Sequence, residues 1–152
     1  MKNALLLILS IFVLTSCANN IVSPFWELPD ERLDEIAIIF EGRDNAFAVA
    51  YNPKTCERIG EACGFFRLQA YAHSVLNHPI YNKPRFYTES LVNEADCWAA
   101  QNGRPNEITA AVAFLSDTSL HEGIKINGDP VLRAKAIKHC AIEKNRYCPK
   151  TC

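Results

Sequence analysis

The sequence predicts a helix-rich α+β single domain, with a small antiparallel sheet packed on four helices. The first observation is a β-branched, apolar run, "EIAIIFE", from Glu35 to Glu41. The second is "AFAVAY", from Ala46 to Tyr51, where large and small side chains alternate with the period of a strand. The third is the second half of the chain, where longer segments with helical character are separated by glycine and proline.

The two apolar runs predict a β-hairpin over about 35–51. Between them lie Gly42, Arg43, Asp44 and Asn45, which are residue types that favour turns. Because an isolated hairpin is marginally stable, it needs a cover. Four segments are predicted to supply it as helices, at about 60–77, 88–102, 106–116 and 130–144.

The N-terminus has the character of an export signal. A lysine at position 2 precedes an apolar run from Ala4 to Leu14, which is too short to span a membrane. The ending "LTSC" resembles the lipobox of bacterial lipoproteins. This resemblance implies cleavage before Cys17 and acylation of that cysteine. Residues 1–16 are then a signal peptide, 17–30 a lipidated N-terminus and linker, and 31–152 the globular domain. An ordinary secretory signal with a chance cysteine is the alternative.

The same resemblance implies a location. The residue after Cys17 is Ala18 rather than aspartate, so the inner-membrane retention signal of enteric lipoproteins is missing. We therefore expect a lipid-anchored protein of the cell envelope, on the outer membrane and facing the periplasm if the host has two membranes.

The charge balance gives little reason to expect nucleic acid as a partner. Without Lys2, the mature chain has 15 basic and 17 acidic residues, a formal charge of -2. The sequence has no basic stripe of the kind that nucleic-acid binding requires.

Six cysteines besides Cys17 predict three disulfides in an oxidising compartment. They are Cys56, Cys63, Cys97, Cys140, Cys148 and Cys152. Cys56 and Cys63 are close enough to close around a turn, whereas the other pairings stay open. A metal site at Cys140, Cys148 and Cys152 is the alternative.

Two histidines on a predicted helix raise the question of a zinc site. In "FRLQAYAHSVLNHP", His73 and His78 are five residues apart, so on an unbroken helix they point about 140° from each other. The spacing that lets two helical side chains hold one ion is four, and Gln69 stands four residues before His73. Ala70 then occupies the place where an H-E-x-x-H helix has its general base.

These segments resemble the gluzincin-type neutral zinc metallopeptidases. Their active-site helix reads approximately H-E-x-x-H-x-x-L-G-H, and His73, Leu76 and His78 fall on the second zinc histidine and the tail of that helix. A following helix in the family carries E-x-x-A-D-x-x-A, which "VNEADCWAA" matches at Asp96 but replaces at its ligand glutamate with Val92. The resemblance implies a zincin-like fold.

The departures from the family pattern argue against its activity. A catalytic zinc needs three protein ligands and an open position, but of the implied ligands only His73 is present. Gln69 and Val92 stand at the other two, and Ala70 cannot accept a proton from water. We therefore expect neither catalysis nor a cofactor. We expect Asp96 to accept a hydrogen bond from Gln69 or from a neighbouring helix.

Two alternatives remain open. His73, His78 and Glu94 could form a metal site if the helix broke at Asn77, which Pro79 would permit. The protein would then be a metalloprotein, or a zinc-dependent peptidase with substituted ligands. The loop 79–89 is either a binding lip over the cleft or a well-packed connection. The favoured interpretation is a non-catalytic, peptidase-like domain that binds an envelope protein or peptide.

Overall fold

The computed structural model describes residues 25–42, 46–80 and 87–147. These residues form an α+β domain with a three-stranded mixed sheet and five α-helices. The strands are β1 (Trp26–Pro29), β2 (Ala37–Glu41) and β3 (Phe47–Tyr51). The helices are α1 (Pro53–Ile59), α2 (Ala62–Val75), α3 (Glu89–Asn102), α4 (Pro105–Ser116) and α5 (Pro130–Glu143). A 3-10 turn, Thr118–His121, follows α4.

The predicted hairpin is present, but the sheet is larger than predicted. β2 and β3 pair antiparallel, with Ile39 opposite Val49. β1 pairs parallel to β3 on its other side, which gives the order β1-β3-β2. Residues 26–29 were expected to belong to a linker, so that part of the prediction is wrong, as is the expectation of an entirely antiparallel sheet. A four-residue strand is too short to show a period of two by itself.

The four predicted helices are present, and α1 is an addition to them. The Asn52 side chain caps α1 by accepting hydrogen bonds from the backbone N–H groups of Lys54 and Thr55, at 3.0 and 3.1 Å. Its amide also donates to the Leu33 carbonyl at 2.7 Å. Pro53 occupies the first turn, where its missing N–H costs nothing. The Asn-Pro pair was the available signal for this helix.

Helix α2 lies at the centre of the domain. One side contacts the sheet, where Ala70 packs against Ile39 and Val49. The other side contributes to the main core with α3, α4 and α5. The largest fully buried apolar side chains of that core are Phe65, Ile108, Leu115 and Ile137.

Two disulfides join described residues. Cys56 and Cys63 are bonded, as the seven-residue spacing predicted. Cys97 on α3 is bonded to Cys140 on α5, so Cys140 has no thiolate to give to the alternative metal site. Cys148 and Cys152 lie outside the described residues, as does Cys17.

The described helices are all too short or too polar to cross a membrane.

Candidate functional site

A cavity of about 300 Å³ lies between the edge of β2, helix α2 and the start of α3. It brings together four of the positions that the sequence singled out. These are Gln69, Ala70, His73 and Val92. Its other walls come from residues 34–39, Tyr87 and residues 125–127. Four of the six positions matched to the peptidase site therefore share one cleft, whereas His78 and Asp96 do not line it.

His73 is a buried polar side chain of the cleft, with 2% of its surface exposed. Its Nε2 lies 3.1 Å from Nε2 of Gln69, one helical turn earlier. Its ring stacks on Tyr87, with ring centroids 3.7 Å apart. His73 is thus held on three sides, since its Nδ1 contacts His78 at 2.9 Å.

His73 and His78 contact each other because α2 ends between them, so the 140° divergence expected on an unbroken helix does not apply. Helix α2 ends at Val75, and Asn77 has a φ of 54°, a left-handed conformation that asparagine tolerates well. The His78 N–H then donates to the His73 carbonyl at 2.8 Å, and the Asn77 N–H donates to the Ser74 carbonyl at 3.1 Å. This pair of bonds is a Schellman cap, which reverses the chain and returns His78 to His73.

The contacts are compatible with one neutral tautomer of each imidazole. With the Gln69 amide nitrogen turned toward His73 as the donor, Nε2 of His73 accepts and the His73 proton is assigned to Nδ1. His73 Nδ1–H then donates to Nδ1 of His78, whose own proton resides on Nε2. That Nε2 lies 3.4 Å from Oε2 of Glu94 and makes no hydrogen bond to a described residue.

The residues at the family's zinc positions do not fit zinc. Gln69 presents an amide N–H toward the nitrogen that would face the metal, and Val92 is a buried apolar side chain, 2% exposed. Ala70 is 2% exposed and packs against Ile39 of β2 and Val49 of β3. In the described part of the chain, no three His, Cys, Asp or Glu side chains are grouped to hold a metal ion.

The alternative site at His73, His78 and Glu94 does not converge either, although the helix breaks where that site requires. Two nitrogens on one tetrahedral zinc, each about 2.0–2.1 Å from the ion, lie roughly 3.3 Å apart with the metal between them. Here the two Nδ1 atoms are 2.9 Å apart and share a proton instead. Glu94 contacts the opposite nitrogen of His78, so the three donors face different directions.

Asp96 contacts Arg133 of α5, so its predicted partner on a neighbouring helix is present. Arg133 donates from Nε and Nη2 to the two carboxylate oxygens at 2.7 and 2.8 Å, and from Nη1 to the Asn127 carbonyl at 2.9 Å. Asp96 is fully buried. Burial raises the pKa of the Asp96 carboxyl, and the Arg133 guanidinium opposes that rise. The pair fixes α3 against α5 behind the cleft.

The β2 strand presents an open backbone edge to the cleft. The Ile36 carbonyl accepts a hydrogen bond from Asn52 N–H, and Gly42 N–H donates to the Ala46 carbonyl. The even-numbered residues of this segment therefore direct their backbone hydrogen-bonding groups toward β3. By the alternation of an antiparallel pair, Ala37, Ile39 and Glu41 direct their N–H and C=O groups away from β3. Lys125 bridges Glu35 just before β2, with its N–H donating to the Asp34 carbonyl at 3.0 Å, but no described strand pairs with the outward edge of residues 37–41.

Sequence reasoning missed two contributors to the site. Tyr87 was seen only as part of an aromatic loop, of which residues 81–86 lie outside the described residues. Arg133 was not predicted to belong to the site, because nothing local in the sequence shows that it reaches Asp96, 37 residues away. The cap at Asn77 was readable, since asparagine followed by a nearby proline is a helix-end signal.

Comparison of the chain with protein-family models, with curated proteins and with solved structures finds no match.

Proposed function

We propose that this protein is a lipid-anchored envelope protein that binds an extended peptide or protein segment in the cleft between β2 and α2, without cleaving it. The observation that carries the proposal is the open edge of β2 beside an apolar cavity. An exposed sheet edge supplies unpaired N–H and C=O groups, which an extended chain can satisfy as an added strand.

The chemistry of the cleft favours a segment rich in apolar residues. The cavity includes Ile36, Ile39, Phe66 and Val92 among its walls. Two charged pairs at its margin are matched, since Lys125 contacts Glu35 at 2.7 Å and Arg133 contacts Asp96, and Asp34 is a further charged residue of the lining. A strongly charged ligand would therefore have few opposite charges to meet.

The residues that replace the family's active site support binding rather than hydrolysis. Ala70 has no group to activate water. The polar side chains that remain, Gln69 and His73, hydrogen-bond each other. On this proposal, the resemblance to the metallopeptidases accounts for a cleft at this place, and the departures from the family pattern account for binding without cleavage.

A proline at the open edge tests the proposal. Ala37→Pro removes an N–H that faces the cleft without removing one that pairs with β3, and proline is tolerated on edge strands. We expect purified mature protein to bind apolar, extended heptapeptides from a fluorescent library, and Ala37→Pro to abolish this binding while the thermal unfolding midpoint stays close to native.

Glu41→Pro is the matched control. It removes an equivalent outward N–H on the same strand, but Glu41 does not line the cavity, so binding should persist. Peptide cleavage, absence of any saturable binding, or equal binding by Ala37→Pro and the native protein would contradict the proposal.

Metal analysis separates this function from the zinc-dependent alternative. Mature protein purified without a metal-binding tag should bind its peptides equally well before and after chelator treatment. Stoichiometric zinc that is lost on His73→Ala would favour the alternative.

A further inference from the structure

The sheet has a second face, opposite α2, that is entirely apolar in the described strands. Side chains of paired residues share a face, so the register assigns six residues to it. They form two rows across the three strands, Trp26, Ala48 and Phe40 in one and Leu28, Ala50 and Ile38 in the other. We call these six residues the outer face.

The outer face lacks the polar residues that a solvated sheet face usually carries. Sheets with one face in water normally alternate apolar and polar residues. Here the charged residues of the three strands are Glu27 and Glu41, and both point to the other face, where Glu27 contacts Arg67 at 3.1 Å. Trp26 is 79% exposed and Leu28 49% exposed. The outer face therefore carries no charged residue of the described strands, although Trp26 and Leu28 are exposed on it.

The position of this face in the chain identifies what it meets. β1 begins nine residues after Cys17, and nine residues span at most about 30 Å when extended. A lipid on Cys17 would hold the outer face within that distance of the bilayer. Tryptophan and leucine are residues that partition into the membrane interface, and tryptophan is enriched there.

We propose that the outer face rests on the membrane surface, with Trp26, Leu28 and Phe40 in contact with the lipid interface. This proposal depends on the lipid anchor of the proposed function. Because the peptide cleft lies on the α2 side of the sheet, membrane contact leaves the cleft open. The anchor and the sheet then orient the cleft away from the bilayer.

Tryptophan quenching by brominated lipid tests the contact. The chain has two tryptophans, and Trp98 packs against the core, so Trp98→Phe leaves Trp26 as the reporter. A second variant with Trp26→Phe, Trp98→Phe and Phe40→Trp moves the reporter across the sheet to β2. In acylated mature protein, the emission maximum of each tryptophan reporter should move to a shorter wavelength on phosphatidylcholine vesicles. Its emission intensity should fall when the lipid is brominated.

A reporter on the helical side is the matched control. Leu132 of α5 is 54% exposed, and Leu132→Trp in the background without Trp26 and Trp98 should show no quenching. Quenching at position 26 but not at 40 would overturn the proposal, because it would show only proximity to the tether. Equal quenching at position 132 would overturn it as well.

Flotation of the same samples distinguishes failure of the anchor from failure of the contact. Native acylated protein should float with vesicles, and Cys17→Ser should not. If the protein floats but neither reporter is quenched, the lipid anchor stands and the membrane contact of the outer face is overturned. If the native acylated protein does not float, the anchor and the contact are both overturned. If the protein self-associates and the outer face is protected although neither reporter is quenched, the outer face binds a second copy of the chain. That result would also overturn the proposal.

The unmodified protein provides a check that needs no variant. Hydroxyl-radical oxidation of Trp26 should fall on vesicles, relative to detergent-free Cys17→Ser protein, while oxidation of Leu132 stays unchanged. Unchanged oxidation of Trp26 on vesicles would overturn the membrane contact.

Discussion

At the scale of single residues, the buried pair of Asp96 and Arg133 joins α3 to α5 through two hydrogen bonds. Both carboxylate oxygens and two guanidinium nitrogens are used, and both side chains are nearly inaccessible. Removing one partner of such a pair leaves a buried charge uncompensated, which typically costs about 3–5 kcal/mol. Asp96 keeps a structural task that does not depend on zinc.

Arg133→Leu should therefore lower the free energy of unfolding by about 3–5 kcal/mol at neutral pH. Without the guanidinium, burial acts alone and raises the pKa of Asp96 in the folded state further above its unfolded value. The folded state of the variant then favours the protonated Asp96 carboxyl. The loss of unfolding free energy is therefore complete above the pKa of Asp96 in the folded variant, and it shrinks as the pH falls toward the pKa of Asp96 in the unfolded chain. Urea unfolding of native and variant protein across pH 7 to 4 measures this narrowing difference.

The pair of Asp30 and Arg32 is the matched control. It has the same two contacts, at 2.9 Å each, but Arg32 is 88% exposed on its side chain. The Arg32 guanidinium, by hydrogen bonding, lowers the pKa of Asp30 to about 2. Arg32→Leu should nevertheless change stability far less than Arg133→Leu, because water screens the exposed pair. Equal losses in the two variants would contradict the account of the buried pair.

At the scale of elements, the two disulfides differ in the length of chain that each one closes. Cys56–Cys63 closes the short connection between α1 and α2, whereas Cys97–Cys140 joins α3 to α5 across 43 residues of chain. A crosslink over a longer loop removes more entropy from the unfolded chain. The second bridge also lies on the same two helices as the Asp96–Arg133 pair.

Removing the long-range bridge should consequently cost more than removing the short one. We expect Cys97→Ala with Cys140→Ala to lose about 2–4 kcal/mol of unfolding free energy, and Cys56→Ala with Cys63→Ala to lose roughly 1.5 kcal/mol less, from loop entropy. Urea unfolding without reductant measures both. A larger loss from the short bridge would show that local packing of α1, and not chain entropy, dominates.

At the scale of the whole molecule, the cleft provides a test of kinship with the metallopeptidases. The three family ligand positions, at 69, 73 and 92, line one cavity. Nδ1 of His73 already donates to His78, which leaves Nε2 directed at position 69. A ligating histidine usually has its other nitrogen held in this way.

Gln69→His together with Val92→Glu should create a zinc affinity that the natural chain lacks. The paired histidines would be four apart on α2, and the glutamate would come from α3. Ala70→Glu completes the family pattern, but it would place a carboxylate against Ile39 and Val49, so it belongs in a separate variant. Calorimetric titration with zinc measures the affinity.

The added change His73→Ala should abolish that zinc binding in the folded double variant. A folded double variant that takes up no zinc would mean that the three positions do not converge on one ion, and the proposed kinship would lose its structural support.

The sequence by itself determined the elements whose cause is local. The β2–β3 hairpin follows from alternation and turn residues, α2 to α5 from their breakers, and Cys56–Cys63 from short spacing. The chain reversal at Asn77 is equally local, and it ends α2 at Val75, so the 140° angle between His73 and His78 on an unbroken helix does not hold. Only the cap geometry brings those two rings together.

Only the tertiary structure decided which elements meet. The parallel pairing of β1 with β3, the bridge from Cys97 to Cys140 and the reach of Arg133 to Asp96 join residues that are 22 to 43 positions apart. Periodicity identifies the buried side of one element but not its partner, because the partner depends on how all the elements pack around a shared core. The same is true of the outer face, since a run such as Trp26–Pro29 acquires two distinct sides only when it pairs.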